Sequence, residues 1–263
     1  MIAIECEFSI EGQGEPLILI HGIGADRSIW RFMTPILSQH FKVICYDLRN
    51  HGQSPMSEAN FGLDELVNDL ELVCQRSSVD KAHFVGHSLG GMIGPAYARE
   101  YPDRVISLGL LSTAAGRTED DSIKVWNVVR AMEREGIANV LETLTDRWFT
   151  DDFIEQHPEI VDARLKQVVE TDAESFLNVF RIYAGTEMMP WLHEIKAPAL
   201  VLTGENDGGC NPRLNRMIAN QLPDSELVIL PRLKHSILLE AGPTVAEQIV
   251  NFIRLRKPEN LAQ

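Results

Sequence analysis

The chain has 263 residues, 44% of them hydrophobic and 24% charged, enough for one large core or one core carrying an insertion. Its 38 acidic residues outnumber the 24 basic ones, for a formal charge of −14. That balance excludes the clustered basic face of a nucleic-acid binder and disfavours docking to anionic membranes.

No apolar stretch approaches the length of a membrane span, and the first twelve residues lack a basic start followed by an apolar core, so neither a span nor a signal peptide is expected. Cys6, Cys45, Cys74 and Cys210 show no C-x-x-C pairing. They read as small buried hydrophobes of a reducing, cytoplasmic compartment.

In chain order, β-branched runs predict strands over 16–20 and 42–46, a helix over 63–77, a strand over 81–85 and a helix over 89–101, ended by Pro102. A strand over 104–111 follows. From Ser112 to Met189 the pattern is helix after helix with no strand. There Trp126, Val129 and Met132 share one face, and Ile160, Val161, Leu165, Val168 and Val169 share another after Pro158. Strands over 198–203 and 225–230 then alternate with helices over 211–221 and 243–256. Such alternation predicts an α/β fold with a doubly wound, mostly parallel sheet, whose ligands gather at the carboxyl ends of strands. Residues 117–187 read as a helical cap inserted into a core formed by 1–116 and 188–263.

The segment Phe84-Val85-Gly86-His87-Ser88-Leu89-Gly90-Gly91 sets a serine between two glycines where a strand ends and a helix begins. A serine hydroxyl is a poor nucleophile unless held exposed beside a base, and a tight strand-to-helix turn holds it so. Glycine on each side lets the backbone bend without a Cβ clash.

With its flanking motifs, this segment resembles the α/β-hydrolase superfamily, in its serine-nucleophile, esterase- and lactonase-like branch. Pro16-Leu17-Ile18-Leu19-Ile20-His21-Gly22-Ile23-Gly24 is similar to the family's strand and oxyanion-hole loop. Asp47-Leu48-Arg49-Asn50-His51-Gly52-Gln53-Ser54 is similar to its D-x-R-G-x-G-x-S turn. Gly204-Glu205-Asn206-Asp207 and Leu233-Lys234-His235-Ser236 resemble the exits that carry the triad acid and base. Asn50 replaces a usual glycine, and asparagine tolerates the left-handed backbone well. Lys234 also replaces a glycine, and Pro212 falls one residue late; both are positioned to reshape the pocket wall.

The resemblance implies Ser88 as nucleophile, His235 as base and Asp207 as the acid that orients it, with the backbone N–H groups of Ile23 and Leu89 forming the oxyanion hole. Glu205 is the rival acid, whereas Ser112-Thr113-Ala114 offers no carboxylate at the other position used in the family. His21, His51 and His87 read as turn-shaping, and His40, His83, His157 and His193 as surface or satisfied core residues. Trp126, Trp148, Phe180, Met188 and Ile237 are candidate pocket residues, against the alternative that such side chains pack cap onto core.

Arg117, Arg164 and Arg181 are candidates to hold a substrate carboxylate, although a solvated face is the commoner fate of such residues. From 117 to 190 the chain carries 16 acidic and 8 basic residues, a field that favours a neutral ester or lactone. No metal-ligand spacing or phosphate-cradling loop is present, and no cofactor is expected.

The implied activity is hydrolysis of a carboxylic ester or lactone through an acyl-enzyme on Ser88, with a small acyl substrate and water as partners. The same machinery would also serve a C–C or amide hydrolase of small aromatic-degradation metabolites. A slow-turnover small-molecule receptor is a third reading.

Overall fold

Buried apolar strands set the frame. Pro16–Ile20 (β2) and Ala82–His87 (β4) are buried along nearly their whole length, as strands covered on both faces must be. They pair in parallel with each other and, on either side, with Lys42–Tyr46 (β3) and Val105–Leu111 (β5). Ala199–Gly204 (β6) and Ser225–Leu230 (β7) extend the parallel sheet. Phe8–Glu11 (β1) adds an antiparallel edge against β3, giving seven strands in the order β1-β3-β2-β4-β5-β6-β7. This computed structural model describes residues 2–58 and 60–256.

The helices are Thr34–Leu37 (α1), Leu63–Arg76 (α2), Gly90–Glu100 (α3), Glu119–Glu135 (α4), Ile137–Trp148 (α5), Asp151–Gln156 (α6), Pro158–Glu170 (α7), Ala173–Gly185 (α8), Pro212–Gln221 (α9), Ile237–Glu240 (α10) and Gly242–Leu255 (α11). Two apolar clusters lie on the two sides of the sheet, one including Ile18, Phe84 and Met92, the other Leu19, Trp30 and Val250. The doubly wound parallel sheet is therefore as expected, and α4 to α8 fill the strandless stretch between β5 and β6. Thr118 starts this stretch with a reciprocal cap, in which its hydroxyl accepts from Asp121 N–H and Asp121 accepts from Thr118 N–H. No helix among the described residues is long and apolar enough to cross a membrane.

The differences from the sequence reading are local. β1 was not foreseen: four residues, only half-buried, carry too little period-two signal. The short α1 and α10 were missed for the same reason of length. β4 runs to His87, because Gly86 and His87 continue the ladder opposite Leu110 and Leu111 despite the glycine. On α7, Val161 and Val168 are buried but Val169 is 52% exposed, so it leaves the apolar face.

The turn after β3 shows how sequence detail becomes tertiary structure. Asp47 accepts the backbone N–H groups of Arg27 and Gln53, at 2.7 and 2.9 Å. Arg49 is fully buried and forks onto the Asp69 carboxylate at 2.6 and 2.7 Å. Asn50 has φ +61°, the left-handed backbone for which it was noted. Its amide also donates to Ser175 Oγ at 2.9 Å, so it ties α8 to the core where a glycine would not.

Candidate active site

The elbow after β4 is strained. Ser88 has φ +56°, a conformation that costs a non-glycine residue about 1–3 kcal/mol and persists only where the surroundings impose it. Here Ser88 N–H donates to Leu111 O at 2.9 Å, and Ser88 O accepts from Gly91 N–H and Thr113 Oγ1. The flanking glycines are obligatory: a Cβ on Gly86 would stand 2.0 Å from Gly90 O, and one on Gly90 would stand 2.1 Å from Ile20 O.

Asp207 and His235 leave β6 and β7 at the same end of the sheet. His235 Nδ1–H donates to Asp207 Oδ2 at 2.7 Å, while Asp207 Oδ1 accepts the N–H groups of Gly209 and Cys210. Glu205, the rival acid, instead accepts from Arg232 N–H. Burial pushes the Asp207 carboxyl up, but His235 and the two N–H donors outweigh it, so its pKa is lowered. Burial likewise pulls the His235 imidazolium down, and the Asp207 charge and hydrogen bond reverse this, raising it to about 10.

Ser88, Asp207 and His235 line one cavity of about 110 Å3 with Gly22 and Ile23. No hydrogen bond joins Ser88 Oγ to His235; in hydrolytic sites that bond is often long until the Michaelis complex forms.

His87 fixes the histidine loop from below. Its Nε2–H donates to His235 O at 3.0 Å, with the two rings 4.8 Å apart. Burial lowers the His87 pKa to about 3, so it stays neutral. His21 and His51 are buried in the turns as expected: His21 Nε2 accepts from Leu48 N–H and His51 Nδ1–H donates to Arg49 O. His83 meets Ser107 in the core and His40 meets Arg254 at the surface.

The loop after β2 lies against Ser88, since a Cβ on Gly22 would be 3.0 Å from Ser88 Cβ. Among the described residues, no carbonyl takes up the backbone N–H of Ile23 or of Leu89. The Leu89 N–H precedes the first turn of α3, where donors are unpaired and the helix dipole favours negative charge.

Trp148 and Phe180 line the cavity. Met188 and Ile237 are fully buried in the two cores instead, and Trp126 is half-buried with its ring 3.8 Å from the Cβ position of Gly185. Helix periodicity identifies an apolar face but not which part of it overhangs a cavity.

Arg164 is not on a solvated face. It lines the cavity, lies over the Trp148 ring at 5.1 Å, and donates to Ile23 O at 2.9 Å and to Gly24 O. Burial lowers its pKa to about 10, so it remains cationic at neutral pH. Arg117 donates to Tyr183 O and Thr186 O, and Arg181 pairs with Glu133, both away from the cavity lining. Arg147, which no sequence pattern singled out, also lines the cavity and makes no ion pair among the described residues. All four cysteines are buried and free, and Cys210 is also a lining residue.

A serine on a strained strand-to-helix elbow thus shares one cavity with a buried Asp–His pair at the carboxyl end of a parallel sheet. Residues 15–151 match the family described as alpha/beta hydrolase fold, and the chain belongs to that family. It is 28% identical to 3-oxoadipate enol-lactonase 2 of Acinetobacter baylyi over 215 residues, 81% of this chain and 79% of that protein. It is also 28% identical to (E)-2-((N-methylformamido)methylene)succinate hydrolase of the same organism over 240 residues, 89% of each chain. Among solved structures, the enol-lactonase from Burkholderia xenovorans LB400 superposes with a TM-score of 0.87 at 26% identity, covering 95% of this chain and 96% of that one. The malate-bound thermophilic esterase from Thermogutta terrifontis gives 0.86 at 27% identity, covering 95% and 93%.

Proposed function

We propose that this protein hydrolyses a carboxylic ester or lactone through an acyl-enzyme on Ser88, and that its substrate carries a second, anionic carboxylate. The strained Ser88 elbow sharing one cavity with the Asp207–His235 pair carries the first part.

Ser88 Oγ attacks the acyl carbon as His235 Nε2 takes its proton, and Asp207 stabilises the imidazolium. The Ile23 and Leu89 N–H groups hold the oxyanion, each worth roughly 3 kcal/mol. His235 then returns the proton to the departing alkoxide. Water attacks the acyl-enzyme with His235 again as base, and Ser88 is restored as the acid leaves. Residues 117–187 act as a cap: Val128, Leu144, Trp148, Phe180 and Tyr183 reach the cavity from it and exclude water.

The second part rests on Arg147 and Arg164. Both line the cavity, and neither charge is neutralised by an ion pair among the described residues. The acidic balance of the surrounding helices is thus reversed at the cavity itself. The relatives named for 3-oxoadipate enol-lactone and for a methylenesuccinate hydrolyse carboxylate-bearing molecules, in line with this reading.

The test compares a mono-aryl ester of a dicarboxylic acid with the neutral aryl ester of equal length. Arg147→Gln is expected to raise KM for the anionic ester about tenfold, an effect shrinking with added salt, and to leave the neutral ester unchanged. Equal effects on both esters would remove Arg147 from carboxylate binding. Turnover of N-acyl enamines or vinylogous diketones with poor turnover of both esters would favour amide or C–C hydrolysis.

Arg164 has a second role as a positioning residue, because its donors hold two successive carbonyls of the oxyanion loop, Ile23 O and Gly24 O, just beyond the Ile23 N–H. Arg164→Met is expected to lower kcat for neutral esters by up to about 10²-fold with KM little changed, and Arg164→Lys to recover part of the loss. A change confined to KM would assign Arg164 to substrate binding alone.

A further inference from the structure

Cys210 stands three residues beyond Asp207 and belongs to none of the steps above. Its position is tightly built. Its N–H donates to Asp207 Oδ1 at 2.8 Å, and its carbonyl accepts from Thr203 Oγ1 and Asn215 Nδ2 at 2.8 and 2.7 Å. Its thiol meets the Tyr183 hydroxyl at 3.1 Å. A ligand atom from each of Asp207, Cys210 and His235 lies within 4.8 Å of the other two. The sequence shows no ligand spacing because His235 lies 25 residues beyond Cys210, on the exit of a different strand.

We infer that Asp207, Cys210 and His235 form an inhibitory site for a thiophilic divalent cation of the zinc type. Thiolate sulfur, imidazole nitrogen and carboxylate oxygen are the zinc ligands of proteins, at about 2.3, 2.0–2.1 and 2.0–2.2 Å. Tetrahedral ligation places such atoms about 3.5 Å apart, so the widest separation needs to close by roughly 1 Å, while His235 Nδ1 and Asp207 Oδ2, 2.7 Å apart, need to open if Nδ1 is the ligand. Cys210 and His235 both line the cavity, which leaves the fourth position to water. On binding, the Cys210 thiol gives up its proton to solvent and its sulfur lone pair to the metal.

Inhibition follows whichever imidazole nitrogen is taken. Coordination at Nδ1 replaces the hydrogen bond to Asp207 and moves the Nδ1 proton to Nε2, which then cannot accept the Ser88 proton, and coordination at Nε2 occupies the lone pair that would accept it. The other cysteines are poor competitors, since burial pushes Cys6 and Cys45 up to about 12 and Cys74 to about 11.

The inhibitory consequence rests on the proposed hydrolase function, whereas metal binding does not, and the experiment separates them. Cobalt(II), a spectroscopic substitute for zinc, is titrated into the full chain under reducing conditions without substrate. A thiolate-to-cobalt charge-transfer band saturating at about one equivalent is expected. Cys210→Ala, and Cys210→Ser as a second variant that keeps a hydroxyl beside Tyr183, should lose it with unchanged circular dichroism. In parallel, zinc should inhibit ester hydrolysis reversibly, relieved by chelator. In each variant, normalised to its own metal-free rate, inhibition should weaken about tenfold or more, given that even partners outside the ligand set are worth about 10–100-fold in affinity. No band in the wild-type chain, or a band or inhibition undiminished in both variants, overturns the site. A normal band with no hydrolysis of any ester defeats the functional reading and leaves the site standing.

Discussion

Replacing Ser88 by alanine is expected to lower kcat toward aryl esters by about 10⁶-fold, the scale seen when a hydrolase loses its nucleophile, with KM changed little. The residual rate would come from the oxyanion donors and the cavity, which the substitution leaves in place. A fluorophosphonate probe should add one covalent mass to the wild-type chain, at Ser88, and none to Ser88→Ala. The strain at φ +56° makes a second readout available. Ser88→Gly, which accepts that backbone freely, should be inactive yet more stable to urea than Ser88→Ala. Activity surviving in Ser88→Ala, or labelling at another residue, would exclude the mechanism.

Asp207→Asn is expected to cost about 10⁴ in kcat, because the amide neither stabilises the imidazolium nor enforces the tautomer with the proton on Nδ1. It should also move the pH profile, and the sign is determined by the pair. In the proposed mechanism the neutral imidazole is the base, so kcat/KM is expected to rise as pH rises through the His235 pKa. Burial pulls that pKa down, but the Asp207 carboxylate overrides it, and the net shift is upward. Removing the carboxylate takes away the largest upward cause and leaves burial opposed only by Cys210, so the ascending limb of the variant should lie at lower pH than that of the wild type. A limb that stays in place while the rate falls would mean that another group, not His235, limits the profile. His87 is the obvious competitor, and its lowered pKa predicts no titration at neutral pH.

Most of the frame was legible because each part was local. The runs Leu17-Ile18-Leu19-Ile20 and Val43-Ile44-Cys45 can only be strands buried on both faces, and Gly86 and Gly90 allow the single bend that exposes Ser88. Asn50 signalled its own left-handed backbone. Asp207 was named ahead of its rival Glu205 at the same strand exit, with no carboxylate at Ser112-Thr113-Ala114, and it is the Asp207 carboxylate that accepts from His235. Less legible were the edge strand Phe8–Glu11 and the short helices Thr34–Leu37 and Ile237–Glu240, whose stability comes from what they pack against.

By itself, then, the amino-acid sequence determined the alternation of strands and helices, the elbow that carries Ser88, and the residue types available for nucleophile, base and acid. Backbone torsions and apolar periodicity act over a few residues, so they can be read from a few residues. Only the tertiary structure decided that Trp148 and Phe180 face the cavity while Met188 and Ile237 enter the cores. It likewise decided that Arg164 grips the Ile23–Gly24 loop from 140 residues away, and that Cys210 stands beside His235. Which side of a helix faces a cavity, and which loops share its rim, depends on how whole elements pack, and that information is spread over the entire chain.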